Sequence, residues 1–274
     1  MILDDFRLDG RVAVITGGGH GIGRGIAIGL AEAGAAVVVG ARTASDLDEV
    51  VATIEDAGGR ATAVVSDVLV EGDRRRLIEA AVSTYGRLDV LVNNAGGTGP
   101  RPAMSTSERF FETALRFNVT APFLLCQLAA QAMVDTAGGG SIVNISSRSS
   151  DMVLGSFAAY GAGKAALNML TRDLAGEFAP HVRVNAILVG GVATQGLEVV
   201  LTDDALRAQF EANTPMRRPG TPRDIACAAL YLASPASSWV TGSLMKVDGG
   251  VERPAIDVPA PPLRPSARAG SVTA

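Results

Sequence analysis

The sequence predicts an α/β fold of the doubly wound kind: a single domain built on one parallel sheet of about seven strands with helices on both faces. Three observations point to it. Short β-branched runs recur along the chain, each followed by a longer stretch with helical apolar spacing. These runs are apolar throughout rather than alternating, the pattern of strands covered on both faces. The glycines, 32 of 274 residues, concentrate where such strands end and follow no collagen-like period. Alternation of this kind gives right-handed crossovers and places ligands at the carboxyl ends of the strands.

The elements follow in order. Strand Val12–Thr16 leads through a glycine-rich turn to a helix over 23–33. A second strand, 36–40, precedes a helix over 46–57, and a third, 61–65, precedes one over 71–84. The fourth strand, 90–92, is followed by a long helical stretch, 105–133, read as two helices. The fifth, 142–145, leads to a helix over Ala158–Phe178. The sixth, Val182–Val189, leads to helices over 203–211 and 224–233, and a strand over 243–247 closes the series. The last 24 residues hold five of the 13 prolines, Pro254, Pro259, Pro261, Pro262 and Pro265. Proline excludes a helix or central strand there. The expected division is a domain over 1–250 and a Pro/Ala-rich arm over 251–274, free or laid on a neighbouring subunit.

Composition narrows the classes. Hydrophobic residues make up 47% and charged residues 19%, enough to bury a core and too apolar for wholesale disorder. A net charge of −4 argues against nucleic-acid binding. Cys126 and Cys227 stand too far apart for a zinc or disulfide framework and are read as buried thiols. His20 and His181 are too few for a metal cluster. The acidic N-terminus lacks an apolar signal core, and the stretch 121–134 is interrupted by Gln127 and Gln131. A cytoplasmic protein without a membrane span is expected. The sequon matches at Asn118 and Asn144 are read as chance.

The glycine turn reads Thr16-Gly17-Gly18-Gly19-His20-Gly21-Ile22-Gly23. Glycines let the backbone approach a ligand closely, and the following helix N-terminus presents free N–H groups to a phosphate. Between a first strand and a first helix, this is the context of dinucleotide binding. After the second strand, Ala41 stands where an acid would bind the ribose 2′-hydroxyl. Arg42 can instead pair with a 2′-phosphate. NADP is favoured, with NAD as the alternative.

Further motifs follow. Asn93-Asn94-Ala95-Gly96 succeeds the fourth strand. Ser147 lies thirteen residues before Tyr160, and Tyr160-Gly-Ala-Gly-Lys164 places phenol and amine on one helix face. Val184-Asn185-Ala186-Ile187, Val240-Thr-Gly242 and Val247-Asp-Gly-Gly250 complete the series. Together these motifs resemble the short-chain dehydrogenase/reductase family over about residues 8–250. The resemblance implies a Rossmann-type domain and hydride transfer between a nicotinamide cofactor and a carbonyl or secondary alcohol. It implies catalytic roles for Asn118, Ser147, Tyr160 and Lys164. It implies cofactor contacts from Gly17, Gly19, His20, Gly21, Ile22, Gly23, Arg42, Asp67, Val68, Asn94, Ala95, Gly96, Tyr160, Lys164, Gly190, Val192 and Thr194. It also implies a homotetramer or dimer packed through the long helices. The family's Pro-Gly turn reads Val189-Gly190 here, which removes a fixed φ and suggests looser positioning of the nicotinamide.

Other residues carry blander readings. Asp67 is an adenine contact or a helix N-cap. Arg74, Arg75 and Arg76 are a solvated helix face, and Arg148 faces solvent, with contact to an anionic substrate as the alternative. Trp239 is a core or subunit-contact residue. The stretches 93–102 and 214–239 resemble 7α-hydroxysteroid dehydrogenases, 3-oxoacyl-carrier-protein reductases and glucose dehydrogenases, with the first preferred and a small apolar carbonyl or alcohol as substrate. A cofactor-binding sensor without turnover would lack a catalytic residue. A serine hydrolase would need a nucleophile elbow, which Ser147 does not have.

Overall fold

The computed structural model describes residues 1–256, 258 and 261–263. Seven strands form one parallel sheet: β1 Val12–Thr16, β2 Ala36–Ala41, β3 Arg60–Val65, β4 Val90–Asn93, β5 Gly140–Ser147, β6 Val182–Val189 and β7 Leu244–Val247. Their order is β3-β2-β1-β4-β5-β6-β7, so the winding reverses between β1 and β4. Register is tight across that point: Ile15 pairs with Val39 on one side and Val92 on the other.

The helices are α1 Gly21–Glu32, α2 Ala44–Asp56, α3 Glu71–Tyr85, α4 Glu108–Leu115, α5 Ala121–Ala137, α6 Ala158–Phe178, α7 Glu198–Thr202, α8 Asp204–Asn213 and α9 Pro222–Ala233. They cover both faces of the sheet. On one face Ile26, Leu30, Leu47, Val50, Ile225 and Leu232 pack on Ile15, Val37 and Val39. On the other, Leu77, Ile78, Leu125, Met133 and Leu174 pack on Val14, Val38 and Leu91. This double burial is why the strands are apolar without alternation.

The stretch read as two helices, 105–133, is one run from Glu108 to Ala137 with a π turn at Arg116–Thr120, where the Ala121 N–H reaches the Arg116 carbonyl five residues back. Ser107 caps it by accepting from the Phe110 N–H at 3.3 Å, and Gly138, at φ +76°, ends it. By length and composition the run could cross a membrane, but its apolar side packs on β4 and β5, the place of a core helix.

Two expectations are corrected, for Cys227 and Arg74, and two are narrowed, for Trp239 and Asp67. Cys227 is exposed, because α9 turns Ile225, Ala226, Ala229 and Leu232 to the sheet and leaves position 227 outward. Trp239 is 98% exposed and so is no core residue; it follows a short 3-10 turn, Pro235–Ser237, at the sheet margin. Arg74 is buried, its Nη1 donating to the Val68 carbonyl at 2.7 Å; only Arg75 and Arg76 face solvent, paired with Glu71 and Asp73. Asp67 caps no helix: Val70 precedes α3, while the Asp67 carboxylate accepts from the Leu69 N–H at 2.9 Å and turns the loop.

Candidate active site

A cavity of about 780 Å³ opens at the carboxyl ends of the strands, over the point where the winding reverses. Its wall brings together Gly17, Gly19, His20, Gly21 and Ile22 from the glycine turn, Arg42 after β2, and Asp67 and Val68 after β3. It adds Asn94, Ala95 and Gly96 after β4, Ser147 ending β5, Tyr160 and Lys164 from α6, and Gly190, Val192 and Thr194 after β6. Gly23 and Asn118 stand just behind it.

The glycine turn is shaped by backbone needs. Gly17 and Gly21 have φ of +63° and +55°, conformations that side chains resist. Gly23 faces the Gly17 carbonyl so closely that a Cβ would lie 2.1 Å from that oxygen. Asn94 ties the turn down: its Nδ2 donates to the Thr16 and Gly17 carbonyls, each at 3.0 Å. Thr16, which opens the motif but carries no role in the sequence reading, accepts from the Asn94 and Ala95 N–H groups, each at 3.0 Å. The first turn of α1 carries no acidic side chain, and His20 at its N-cap makes no capping bond. The helix therefore offers its amide donors to the cavity, and the residues present fit a dinucleotide pyrophosphate.

Beyond the turn, Ala41 and Arg42 line the wall beside Thr43 and Asp46. Arg42 and His20 are exposed, and among the described residues no ion pair engages the Arg42 guanidinium. Asp46 was not singled out from the sequence because nothing local distinguishes it from a helix-start acid.

At the other end stand Tyr160, Ser147 and Lys164. Tyr160, in the first turn of α6, is half-buried, with the Phe157 ring edge-on at 6.0 Å. Burial raises the phenol above its usual pKa, while its hydrogen bond with the Ser147 hydroxyl acts the other way. Lys164, one turn on, is buried; its Nζ donates to the Ile145 carbonyl at 2.8 Å and lies 5.8 Å from the Tyr160 ring centre. Desolvation pulls this amine down to about 8. Asn118 sits inside the π turn, fully buried. Its Oδ1 accepts from the Gly97 N–H and its Nδ2 donates to the Ala114 carbonyl, both at 2.9 Å. A Cβ on Gly96 would stand 3.0 Å from both Asn118 Oδ1 and Lys164 Nζ, so the lysine and asparagine flank one glycine.

The titration of Lys164 has a sign. Below about 8 the amine is charged and favours a phenolate on Tyr160; above it the charge is lost. Carbonyl reduction is expected to hold a constant kcat through neutral pH and to fall as pH passes about 8. A kcat profile that stays flat into strongly alkaline buffer contradicts this role.

Arg148 overturns its expectation. It is buried, not solvent-facing, with its Nε 2.7 Å from Asp248 Oδ2, its Nη1 on Asp151 and its Nη2 donating to the Val251 carbonyl at 2.9 Å. The 3-10 turn at Arg148–Ser150 directs it under the site, and its partner Asp248 is a hundred residues away. The Val189-Gly190 turn is held by the sheet: Val189 pairs with Ser147 and Val247, and the Gly190 N–H donates to the Val247 carbonyl at 3.1 Å.

Comparison with known proteins agrees with this geometry. A family model described as enoyl-(acyl carrier protein) reductase matches residues 17–252. An uncharacterized oxidoreductase of Mycobacterium tuberculosis is 49% identical over 263 residues, 96% of this chain and 100% of its own. A solved 7α-hydroxysteroid dehydrogenase complexed with NADH and 7-oxo glycochenodeoxycholic acid superposes with TM-score 0.88 at 40% identity, covering 92% of this chain and 98% of its own. A gluconate 5-dehydrogenase of Burkholderia cenocepacia, in complex with NADP and tartrate, superposes with TM-score 0.85 at 35% identity, covering 92% and 98%. With the glycine turn, the Ser147–Tyr160–Lys164 cluster and these relatives in one chain, the protein belongs to the short-chain dehydrogenase/reductase family and is an NAD(P)-dependent oxidoreductase acting on CH–OH groups.

Proposed function

We propose that the protein interconverts a ketone and a secondary alcohol on a small apolar substrate of the hydroxysteroid class, using NADP. The observation that carries this is the convergence of Ser147, Tyr160 and Lys164 at one end of a cavity whose other end is the glycine turn and Arg42. The bound cofactor supplies or accepts the hydride. The chain's own residues manage the oxygen and its proton. In reduction the substrate oxygen gains negative charge; Tyr160 Oη donates its proton there and Ser147 Oγ donates a hydrogen bond. Lys164 keeps a cation beside the ring and lowers the cost of the phenolate left behind. Asn118 fixes Gly97 and the wall behind Lys164.

Arg42 supports the choice of cofactor, since Ala41 brings no carboxylate against a 2′-phosphate and a guanidinium binds one with charge-assisted bonds. Arg42→Ala is expected to raise KM for NADPH about tenfold or more while changing KM for NADH little. Equal losses for the two cofactors would remove the 2′-phosphate role. We further infer a homo-oligomer through the outer sides of α4–α5 and α6, where Phe111, Val134 and Met169 are exposed; light scattering tests it.

The substrate reading is tested by oxidation of NADPH and of NADH against a steroid 7-ketone, a 3-oxoacyl thioester and a 5-keto sugar acid. Highest kcat/KM on the steroid upholds it. Preference for either other compound transfers the substrate class, and no turnover with either cofactor overturns the reaction itself.

A further inference from the structure

Residues 251–256, the described start of the stretch read as a Pro/Ala-rich arm, pack against the domain: Val251 and Ala255 are buried, while most of the arm's remainder lies outside the described residues. Ala255 closes a small apolar cluster with Val200 of α7 and Phe210 of α8, separate from the two main cores, and Leu197, Leu206 and Ile256 pack around it. Asn213 Nδ2 donates to the Ala255 carbonyl at 3.0 Å. Leu197 belongs to this cluster and also lines the cavity. Phe210 seats against Gly191, another wall residue, with ring carbons 2.5 Å from where a Cβ on Gly191 would be. Residues 195–197, the lead into α7, are thus cavity wall, and with the α7–α8 hairpin behind them they form a lid whose outer side rests on 255–256.

The same segment is anchored at its other end by Arg148. That guanidinium holds Asp248 and the Val251 carbonyl, and its backbone directly follows Ser147. Residues 248–256 therefore run from the serine end of the site to the back of the lid.

We propose that residues 251–256 are part of the substrate-binding apparatus: anchored by Arg148 and packed through Ala255, they fix the α7–α8 lid relative to Ser147 and so set KM for the carbonyl or alcohol substrate while leaving cofactor binding alone. This rests on the oxidoreductase reading above. Arg148 is a positioning residue in this scheme. Its charge must stay paired, since an unpaired buried ion is strongly unfavourable, and so must its geometry, since a guanidinium fork serves several acceptors at once.

The test compares the full chain with a chain ending at Leu263, a chain ending at Gly250, and Ala255→Glu in the full chain. Read in each are deuterium uptake over 197–213, the dissociation constant of NADPH, and KM and kcat on the best ketone. The chain ending at Leu263 keeps the segment and is expected to match the full chain. Ending at Gly250 or placing a charge at 255 is expected to raise lid uptake and ketone KM by about tenfold, with NADPH binding within about twofold. Arg148→Met is expected to raise ketone KM likewise, with Arg148→Lys recovering part of it. Unchanged lid uptake and KM without the segment, or equal weakening of NADPH and ketone, overturns the proposal. Should the chain ending at Gly250 not fold, Ala255→Glu gives the same decision. The deuterium comparison needs no turnover, so an inactive full chain would strike the reading of the reaction and leave the lid contact to be decided on its own.

Discussion

Tyr160→Phe is expected to lower kcat for ketone reduction about a thousandfold, the scale of a lost general acid, with the dissociation constant of NADPH little changed. The substitution removes one oxygen and its proton. The ring keeps its edge-on contact with Phe157 at 6.0 Å and its place 5.8 Å from Lys164 Nζ, so packing is preserved. Ser147 can still donate a hydrogen bond to the substrate oxygen, but an aliphatic hydroxyl gives up its proton far less readily than a phenol. The amine of Lys164 cannot substitute either: it is bound to the Ile145 carbonyl at 2.8 Å, behind the ring. The control is a single-turnover measurement with prebound NADPH. If more than about a tenth of the wild-type rate survived, about 1.4 kcal/mol or less of barrier, Tyr160 would not be the proton donor.

Gly23→Ala is expected to cost about 3 kcal/mol of stability or more, the upper range for overpacking, and to weaken NADPH binding at least a hundredfold, about 2.7 kcal/mol. A Cβ there would lie 2.1 Å from the Gly17 carbonyl oxygen and 2.5 Å from Asn94 Nδ2. Neither can move cheaply. Gly17 is held at φ +63°, and Asn94 is committed to two carbonyls. Relief requires α1 to withdraw from the turn, which takes its amide donors away from the pyrophosphate position. The comparison variant is Gly72→Ala, in the first turn of α3, where an added Cβ meets only Arg76 Nη1 at 3.7 Å; there alanine should be neutral or stabilising by up to about 1 kcal/mol. Melting curves and NADPH titrations of the two variants check both statements. A Gly23→Ala protein with unchanged melting and affinity would contradict the close-approach account.

Much of this site is written in short stretches of chain. The glycine turn is a local device between a strand and a helix. Tyr160 and Lys164 share a helix face through their four-residue spacing, and Ser147 is the last residue of its strand. What the sequence hides depends on partners that only folding brings into reach. Arg148 looks like a loop arginine until Asp248 and Val251 come to lie beside it. Arg74 stands in a run of three arginines and is distinguished only by the Val68 carbonyl that folding brings within reach. Thr16 reads as a strand residue, and its hydroxyl matters because Asn94 and Ala95 arrive 78 and 79 positions later. The burial of Val251 and Ala255 is invisible for the same reason. Proline content says what conformations a segment avoids and nothing about the surface it rests on.

The π turn at Arg116–Thr120 carries a consequence of another kind. One surplus residue in a helix rotates everything beyond it by about 100°. Here the run is α4 packed on α6 before the turn and α5 packed on β4 and β5 after it. A straight helix presents one stripe to one neighbour; this one turns a corner without a loop and puts Asn118 at the corner. Residue count, more than residue type, is what that corner requires. Removing a single amino acid between 116 and 120 would make a more regular helix, yet it would twist one half of it off its neighbour and carry Asn118 away from Gly97.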